Sequence, residues 1–347
     1  MKGTGYCSNL RISRRGGISV NIMRQYHRVK YCNTRTGPQM ISWDITNRCN
    51  LNCLHCLNRS GDSKVHDFSN ELSRKKQLEL AHQIVDLRSE QCCLCGGETL
   101  MNPNIFDIVK ILSDGGILVN MVSNGLLLNE SVIEKLKDAG IHGIQISIDG
   151  LGYQHDIFRN KTGAFEMAVN AAKLVVSHGL HSMVSFCPNK LNYRDFPMYV
   201  SYIRDLGVKQ IRSMPFLPIG RGKTEGAHLL LTSNELFEFV NMLNKLKWKY
   251  KDIIIEWGDP LEHLMLILMN KRKYPVIMGI SSVGDLTVTP YIPITVGNVE
   301  QNSLKDAWDA GYGCIWKNKK LIDIISNIDN IYDLEKIGST PYKLEVV

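Results

Sequence analysis

From Met40 to Met214 short apolar runs alternate with longer amphipathic ones, and this alternation limits the folds open to the chain more than any other feature. Met40–Ile45 reads as a buried strand, and Asn70–Glu90 carries helical periodicity with Leu72, Leu80, Ile84 and Leu87 on or near one face. The same pattern predicts strands over Cys92–Cys95, Ile117–Val122, Ile144–Ile148, Ser182–Phe186 and Gln210–Met214. It predicts helices over Ile105–Ser113, Ser131–Ala139, Phe165–Ser177 and Asp195–Asp205. Six strands separated by helices require right-handed parallel crossovers, hence an open or closed α/β barrel with its chemistry at the carboxyl ends of the strands.

The first strand delivers Arg48-Cys49-Asn50-Leu51-Asn52-Cys53-Leu54-His55-Cys56, which presents three thiols within eight residues. Thiolates on so short a loop can wrap a soft metal centre. Zinc takes four protein ligands in its structural sites, and iron–sulfur clusters are also held by cysteine. No fourth ligand lies nearby, which suggests a cluster with one iron left free of protein. A zinc clip or a redox pair is the alternative for these thiols.

The Cys-x3-Cys-x2-Cys spacing of Cys49, Cys53 and Cys56 resembles the signature of the radical S-adenosylmethionine (SAM) enzymes, with His55 where that family usually has an aromatic ring. Gly96-Gly97-Glu98 resembles the family's Gly-Gly-Glu element, although Thr99 stands where Pro is usual. The resemblance implies an α/β partial (βα)6 TIM-like barrel with a small C-terminal α+β SPASM/twitch-like extension. It also implies one [4Fe-4S] cluster held by Cys49, Cys53 and Cys56, and S-adenosyl-L-methionine as cofactor. Gly96 and Gly97 would let backbone approach the ligand and Glu98 would accept from its ammonium group. Ser123 and Asn124 would meet the ribose, while Ser147, Asp149, Asn189 and Arg212 would line the nucleoside or substrate pocket; Asn192 follows the same strand as Asn189. Gly220-Arg221-Gly222 and the loop Leu57–Gly61 are similar to stretches in peptide-modifying, mycofactocin-maturase-like members.

Other cysteines are weighed separately. Cys93 and Cys95 share one face of their strand and Cys92 the other, so the three cannot chelate together and read as small buried residues. Cys187, at the end of the fifth strand, is expected at the barrel mouth, where a thiol could return hydrogen to a substrate radical. Cys7 and Cys32 fall in a polar, basic arm over 1–38 and read as incidental.

With 347 residues, 44% hydrophobic and 22% charged, the chain can bury a full core. Its net charge of +7 is spread over scattered Lys and Arg, so no nucleic-acid partner is expected. No apolar run approaches the roughly 18 residues of a membrane span, and no signal peptide is evident, so no membrane partner is expected. Ten cysteines then indicate a reducing, cytoplasmic setting.

The expected organisation is the arm (1–38), a core barrel (39–230) and a C-terminal part (231–347). The last opens with a capped helix over Thr232–Tyr250 and a strand over Ile253–Trp257. Ser282–Pro290, Gly297-Asn298 and Ser303–Trp308 resemble the extension that binds auxiliary clusters in relatives. Cys314 is the single cysteine after Cys187, Tyr291 stands where a cysteine is expected, and Gly279 or a neighbour replaces another. The extension is therefore expected to keep the scaffold without the metal. The resemblance implies hydrogen abstraction from a C–H bond, in a ribosomally synthesised precursor peptide (epimerisation, rearrangement or cross-link), with a flavodoxin- or ferredoxin-type electron donor. The alternatives are an epimerase or dehydrogenase of a sugar or other small natural product and, outside enzymes, a non-catalytic iron–sulfur or zinc protein.

Overall fold

A computed structural model describes residues 36–269, 275–337 and 342–344. The arm expected over 1–38, with Cys7 and Cys32, lies almost wholly outside the described residues. Seven strands follow one another in chain order with every neighbouring pair parallel: β1 (Met40–Thr46), β2 (Gln91–Gly96), β3 (Leu118–Ser123), β4 (Gly143–Ser147), β5 (His181–Phe186), β6 (Gln210–Ser213) and β7 (Ile254–Trp257). The crossovers carry α1 (Arg74–Asp86), α2 (Ile105–Asp114), α3 (Glu130–Asp138), α4 (Tyr153–Arg159) with α5 (Ala164–Ser177), α6 (Phe196–Asp205) and α7 (Ser233–Lys249). This is the expected partial (βα)6 barrel, lengthened by β7, which the sequence reading had placed beyond it.

Alternation along the strands separates two faces. Ile41, Trp43, Leu94, Met121, Ile146 and Val184 are fully buried and join Leu80, Ile108 and Leu136 from the helices in one core. Each such side chain contributes about 1.5–3 kcal/mol on burial. Ser42, Asp44, Cys93, Cys95, Gln145 and Ser185 occupy the other, inner face and are half-buried. The barrel lumen is thus polar.

The C-terminal part is not a separate sheet. After α8 (Pro260–Leu268), β8 (Ile277–Ile280) pairs parallel with the free side of β1, and β9 (Asp285–Thr287) and β10 (Ile294–Asn298) continue antiparallel. Then come α9 (Leu304–Asp309), α10 (Lys319–Ser326) and β11 (Tyr342–Lys343), whose strand pairs with β10. One eleven-stranded sheet results, so the hairpin expected as an appendage extends the barrel sheet instead. Gly279 sits where β8 meets β9, and a Cβ there would lie 2.1 Å from Thr287 Oγ1. Among the described residues no helix is long and apolar enough to cross a membrane.

Candidate active site

Cys49, Cys53 and Cys56 lie on the loop leaving β1, and buried polar contacts fix its path. The Glu71 carboxylate accepts from Thr46 Oγ1 at 2.9 Å and from the Asn47 N–H at 2.6 Å. Gly61 N–H donates to Asn47 O at 2.8 Å, closing the loop on its own start. Buried Arg221 reaches in from the far side of the barrel, donating Nε–H to Cys53 O at 2.8 Å, Nη2–H to Ser60 O at 3.1 Å and its backbone N–H to Cys56 O at 3.0 Å. Gly220 makes this approach possible: it sits at φ +58°, and a Cβ would fall 2.2 Å from Leu57 O and 2.4 Å from Cys56 O. The Gly220-Arg221-Gly222 stretch is therefore a clamp on the thiol loop.

Burial pushes the Cys49 thiol up to about 11. It also pushes Cys53 up, against the pull of the Arg159 guanidinium, whose Nη1 is 3.8 Å from Cys53 Sγ. Cys56 Sγ accepts from Ser60 N–H at 3.4 Å. Cys49 and Cys53, raised in this way, keep their protons until a cation displaces them. The loop supplies three sulfurs, where structural zinc takes four protein ligands. The loop thus suits a cluster of several irons better than a single ion.

Gly96 and Gly97 make a close contact within the chain itself. A Cβ on Gly96 (φ +115°) would lie 2.3 Å from Thr46 O, and one on Gly97 2.1 Å from Arg48 O. Their freedom lets the end of β2 close on the root of the thiol loop, with Gly97 N–H bonded to Thr46 O at 2.7 Å and Glu98 N–H to Arg48 O at 2.8 Å. Glu98 is fully buried. Its carboxylate accepts from Ser123 Oγ (2.8 Å), Asn124 N–H (2.8 Å) and Leu100 N–H (3.2 Å). A carboxylate has about four acceptor sites, so one remains on Oε2. Burial pushes Glu98 up, opposed by these donors. Asn124 Nδ2 donates to Asn50 Oδ1 in the thiol loop at 2.7 Å. Glu98, Ser123, Asn124 and the cysteine loop are thereby brought into one network.

At the end of β4 stands an element that apolar spacing does not announce, α4. α4 follows Asp149 and sends Arg159 back to it: Nε donates to Asp149 Oδ2 at 2.7 Å and Nη2 lies 2.5 Å from the same oxygen. Burial pushes the Asp149 carboxyl up, while Arg159 and the Cys187 N–H (2.8 Å to Oδ1) hold it down. Asp149 N–H donates to His155 Nδ1 at 3.0 Å, and burial holds His155 down at about 3, so the ring is a neutral acceptor. His55 stacks on Phe158 with centroids 4.1 Å apart; burial keeps it neutral too, so its 3.8 Å approach to Asp149 is not an ion pair. Seven residues in a Gly-flanked segment carry too little apolar periodicity to announce a helix. The one available signal was Arg159, ten positions after Asp149.

The remaining expected residues divide. Ser147 is buried and accepts from Ser185 Oγ at 3.3 Å. Arg212 stands exposed on the same cross-strand row as Ser147, Ser185 and Glu256. Asn189 is committed to its own turn: it is fully buried, its Oδ1 accepts from Leu191 N–H and its Nδ2 donates to Cys187 O. Asn192 Nδ2 ties that turn to Asp149 O at 2.8 Å. Cys187, at the end of β5, is half-buried. It packs against an apolar cluster of Phe158, Phe216 and Leu229.

Residues 43–203 match the profile of the Radical SAM superfamily. The chain is 25% identical over 291 residues to an AdoMet-dependent heme synthase of Methanosarcina barkeri, covering 78% of this chain and 82% of that protein. It is 24% identical over 296 residues to mycofactocin maturase MftC of Mycobacterium tuberculosis, covering 82% of this chain and 71% of that one. Against an Fe-coproporphyrin III synthase of Methanosarcina barkeri, the alignment spans only 45% of the relative. In fold the chain is similar to SuiB of Streptococcus suis, solved with S-adenosylmethionine: the TM-score is 0.67 at 16% identity, covering 90% of this chain and 77% of SuiB.

Proposed function

Starting from a chain that carries a radical SAM domain over residues 43–203, we propose that this enzyme takes hydrogen from an unactivated C–H bond of a ribosomally made peptide. Such a domain uses a [4Fe-4S] cluster and S-adenosylmethionine, which together supply a 5′-deoxyadenosyl radical. Cys49, Cys53 and Cys56 would hold the iron. The open acceptor site on Glu98 would take the ammonium group of the cofactor's methionine, and Ser123 and Asn124 would present its hydroxyl contacts. Asp149 and Arg159 neutralise each other beside Cys53, and the apolar cluster around Phe158 excludes water from that side of the loop.

The observation that carries the radical chemistry is the thiol loop: three cysteines on a backbone clamped by Arg221, beside a buried carboxylate with acceptor capacity to spare. The peptide reading is supported by the similarity to mycofactocin maturase, which spans 82% of this chain. The reaction class would be an epimerisation, rearrangement or cross-link, fed by a flavodoxin- or ferredoxin-type donor. We take 39–230 as the core and 231–347 as the extension that completes its sheet. A second reading, modification of a tetrapyrrole or other small molecule, is favoured by the heme synthase similarity, which covers most of both chains.

Anaerobic reconstitution with iron and sulfide, followed by a 5′-deoxyadenosine assay, tests the chemistry. About four irons per chain with no cofactor cleavage would overturn it, as would retained cleavage in Cys53→Ala. Co-purification with a short precursor peptide distinguishes the peptide reading from the small-molecule one.

A further inference from the structure

α7 ends in Lys245-Leu246-Lys247-Trp248-Lys249, followed by Tyr250 and Lys251. Phe239, Val240, Leu243 and Leu246 bury the inner side of the helix, while Trp248 and the four lysines are exposed. At 75% exposure Trp248 is the most open large apolar side chain among the described residues, whereas Trp43, Trp257, Trp308 and Trp316 are all buried. Lys251 Nζ stands 4.5 Å from the centre of the Trp248 ring, and Lys249 Nζ 5.0 Å from that of Tyr250. Among the described residues no carboxylate pairs with Lys245, Lys247, Lys249 or Lys251, and Asp252, next in the chain, is taken by Arg204 Nε at 2.5 Å.

Cations in the last turn of a helix offset its dipole, which accounts for Lys247 and Lys249. It does not account for Lys251, beyond the helix, or for an indole left in water when so large a ring is strongly favoured in the core. The neighbourhood extends the patch. α7 returns the chain to the amino ends of the strands, where Lys209, just before β6, is exposed and its carbonyl accepts from Ile254 N–H at 3.0 Å. Ile254 opens β7 and Leu118 opens β3, and each is 47% exposed. Basic and apolar groups therefore share the amino-end face of the barrel. The thiol loop leaves the carboxyl end of β1, on the opposite face, so an electron donor seated on this patch would be the height of the barrel away from the cysteines.

We propose that this end of α7 seats the protein on the surface of an anionic phospholipid bilayer. Tryptophan favours the headgroup level of a membrane, where one side of its ring is apolar and the other wet. Lysines around it meet the lipid phosphates while their stems lie along apolar surface. A projecting indole ringed by unpaired cations is a knob rather than a groove, which suits a deformable flat partner over an extended peptide. The expectation of no membrane partner rested on the want of a spanning run, and a surface contact requires none. Seated this way, the carboxyl ends of the strands face away from the lipid and the site stays open to substrate. Nothing in the contact requires the cluster or its chemistry.

Flotation of the reconstituted full chain with vesicles of phosphatidylcholine and phosphatidylglycerol tests the proposal. Binding is expected at low ionic strength, with release as the screening length shrinks to about 3 Å at about 1 M salt. Lys245→Gln/Lys247→Gln/Lys249→Gln/Lys251→Gln is expected to bind at least about tenfold more weakly. With brominated phosphatidylcholine in the vesicles, tryptophan emission should be quenched in the wild type and not in Trp248→Phe, because the other four tryptophans are buried. Equal flotation with phosphatidylcholine alone, undiminished binding of the lysine variant, or quenching that persists in Trp248→Phe would each overturn the proposal. Tighter binding to an oligonucleotide or to polyglutamate than to the vesicles, at the same salt, would assign the patch to a nucleic acid or an acidic protein and overturn it as well. The salt and lipid dependence of the wild type decides the matter even where a variant folds poorly.

Discussion

Arg159 donates Nε–H to Asp149 Oδ2 at 2.7 Å and brings Nη2 to 2.5 Å from the same oxygen, with both side chains buried. The third nitrogen of the same guanidinium points at Cys53 Sγ, 3.8 Å away. One side chain therefore neutralises the carboxylate at the end of β4 and touches the thiol loop. Breaking a buried pair from one side costs more than the pair contributes, because the survivor stays charged in a dry site.

Arg159→Gln is expected to destabilise the fold by about 3–5 kcal/mol, with Asp149→Asn in the same background restoring part of the loss. Urea unfolding of the two single variants and the double measures this. A single variant as stable as wild type would contradict the description of Asp149 as dependent on Arg159.

Gly220→Ala is expected to cost more than Gly116→Ala, although both residues have positive φ. Strain alone costs about 1–3 kcal/mol for a side chain in this backbone region. At Gly116 a Cβ meets nothing within 4 Å, whereas at Gly220 it meets Leu57 O at 2.2 Å. Iron bound per chain after reconstitution should drop in Gly220→Ala and hold in Gly116→Ala. Equal iron in the two would show that the Arg221 clamp is dispensable for the thiol loop.

Glu98→Gln puts an amide donor where Ser123, Asn124 and Leu100 already donate. The clash of donors should cost about 1–3 kcal/mol. It should also weaken S-adenosylmethionine binding by at least about tenfold while leaving the iron content unchanged, since a shift of about 1.4 kcal/mol is a factor of ten. Equilibrium dialysis of the reconstituted variant reads the binding. Undiminished affinity would remove Glu98 from the cofactor's site.

Asp44 supplies a pH test. Burial raises its carboxyl from 3.8 to about 6, with Asn58 opposing. The folded state therefore binds more protons than the unfolded chain between those values. The penalty is absent below pH 4 and complete above about pH 6, so stability falls as pH rises through that window. At about 1.4 kcal/mol per unit, an upper bound for this half-buried group is about 3 kcal/mol, and Asp44→Asn should flatten the slope. Denaturation midpoints of wild type and variant at pH 4.5 and 6.5 decide it; parallel midpoints would show that Asp44 is solvated.

The strands and crossovers of the barrel were legible because period-2 and period-3.6 burial write themselves into apolar spacing. The thiol loop was legible because three cysteines at fixed spacing have few other uses. What escaped notice depends on the third dimension. α4 is too short for periodicity, and its Arg159 finds Asp149 only because the chain reverses at Gly150 and Gly152. Gly96 and Gly97 look the same whether they make room for a ligand or for Thr46 and Arg48. Cys93 and Cys95 were correctly put on one face, but the inner side of a curved sheet cannot be told from a packed one by alternation alone. β8 offered no hint of its partner, since a parallel neighbour more than 200 residues away leaves no local trace.

That pairing has a consequence for how the protein is made. β1 gains its second neighbour only when Met278 and Ile280 have left the ribosome, long after the cysteine loop that β1 leads into. A nascent chain halted before that point would present Met40–Trp43 as an open sheet margin, inviting strand exchange with another unfinished copy. The sheet around the strand that leads into the cysteine loop is consequently finished late in synthesis.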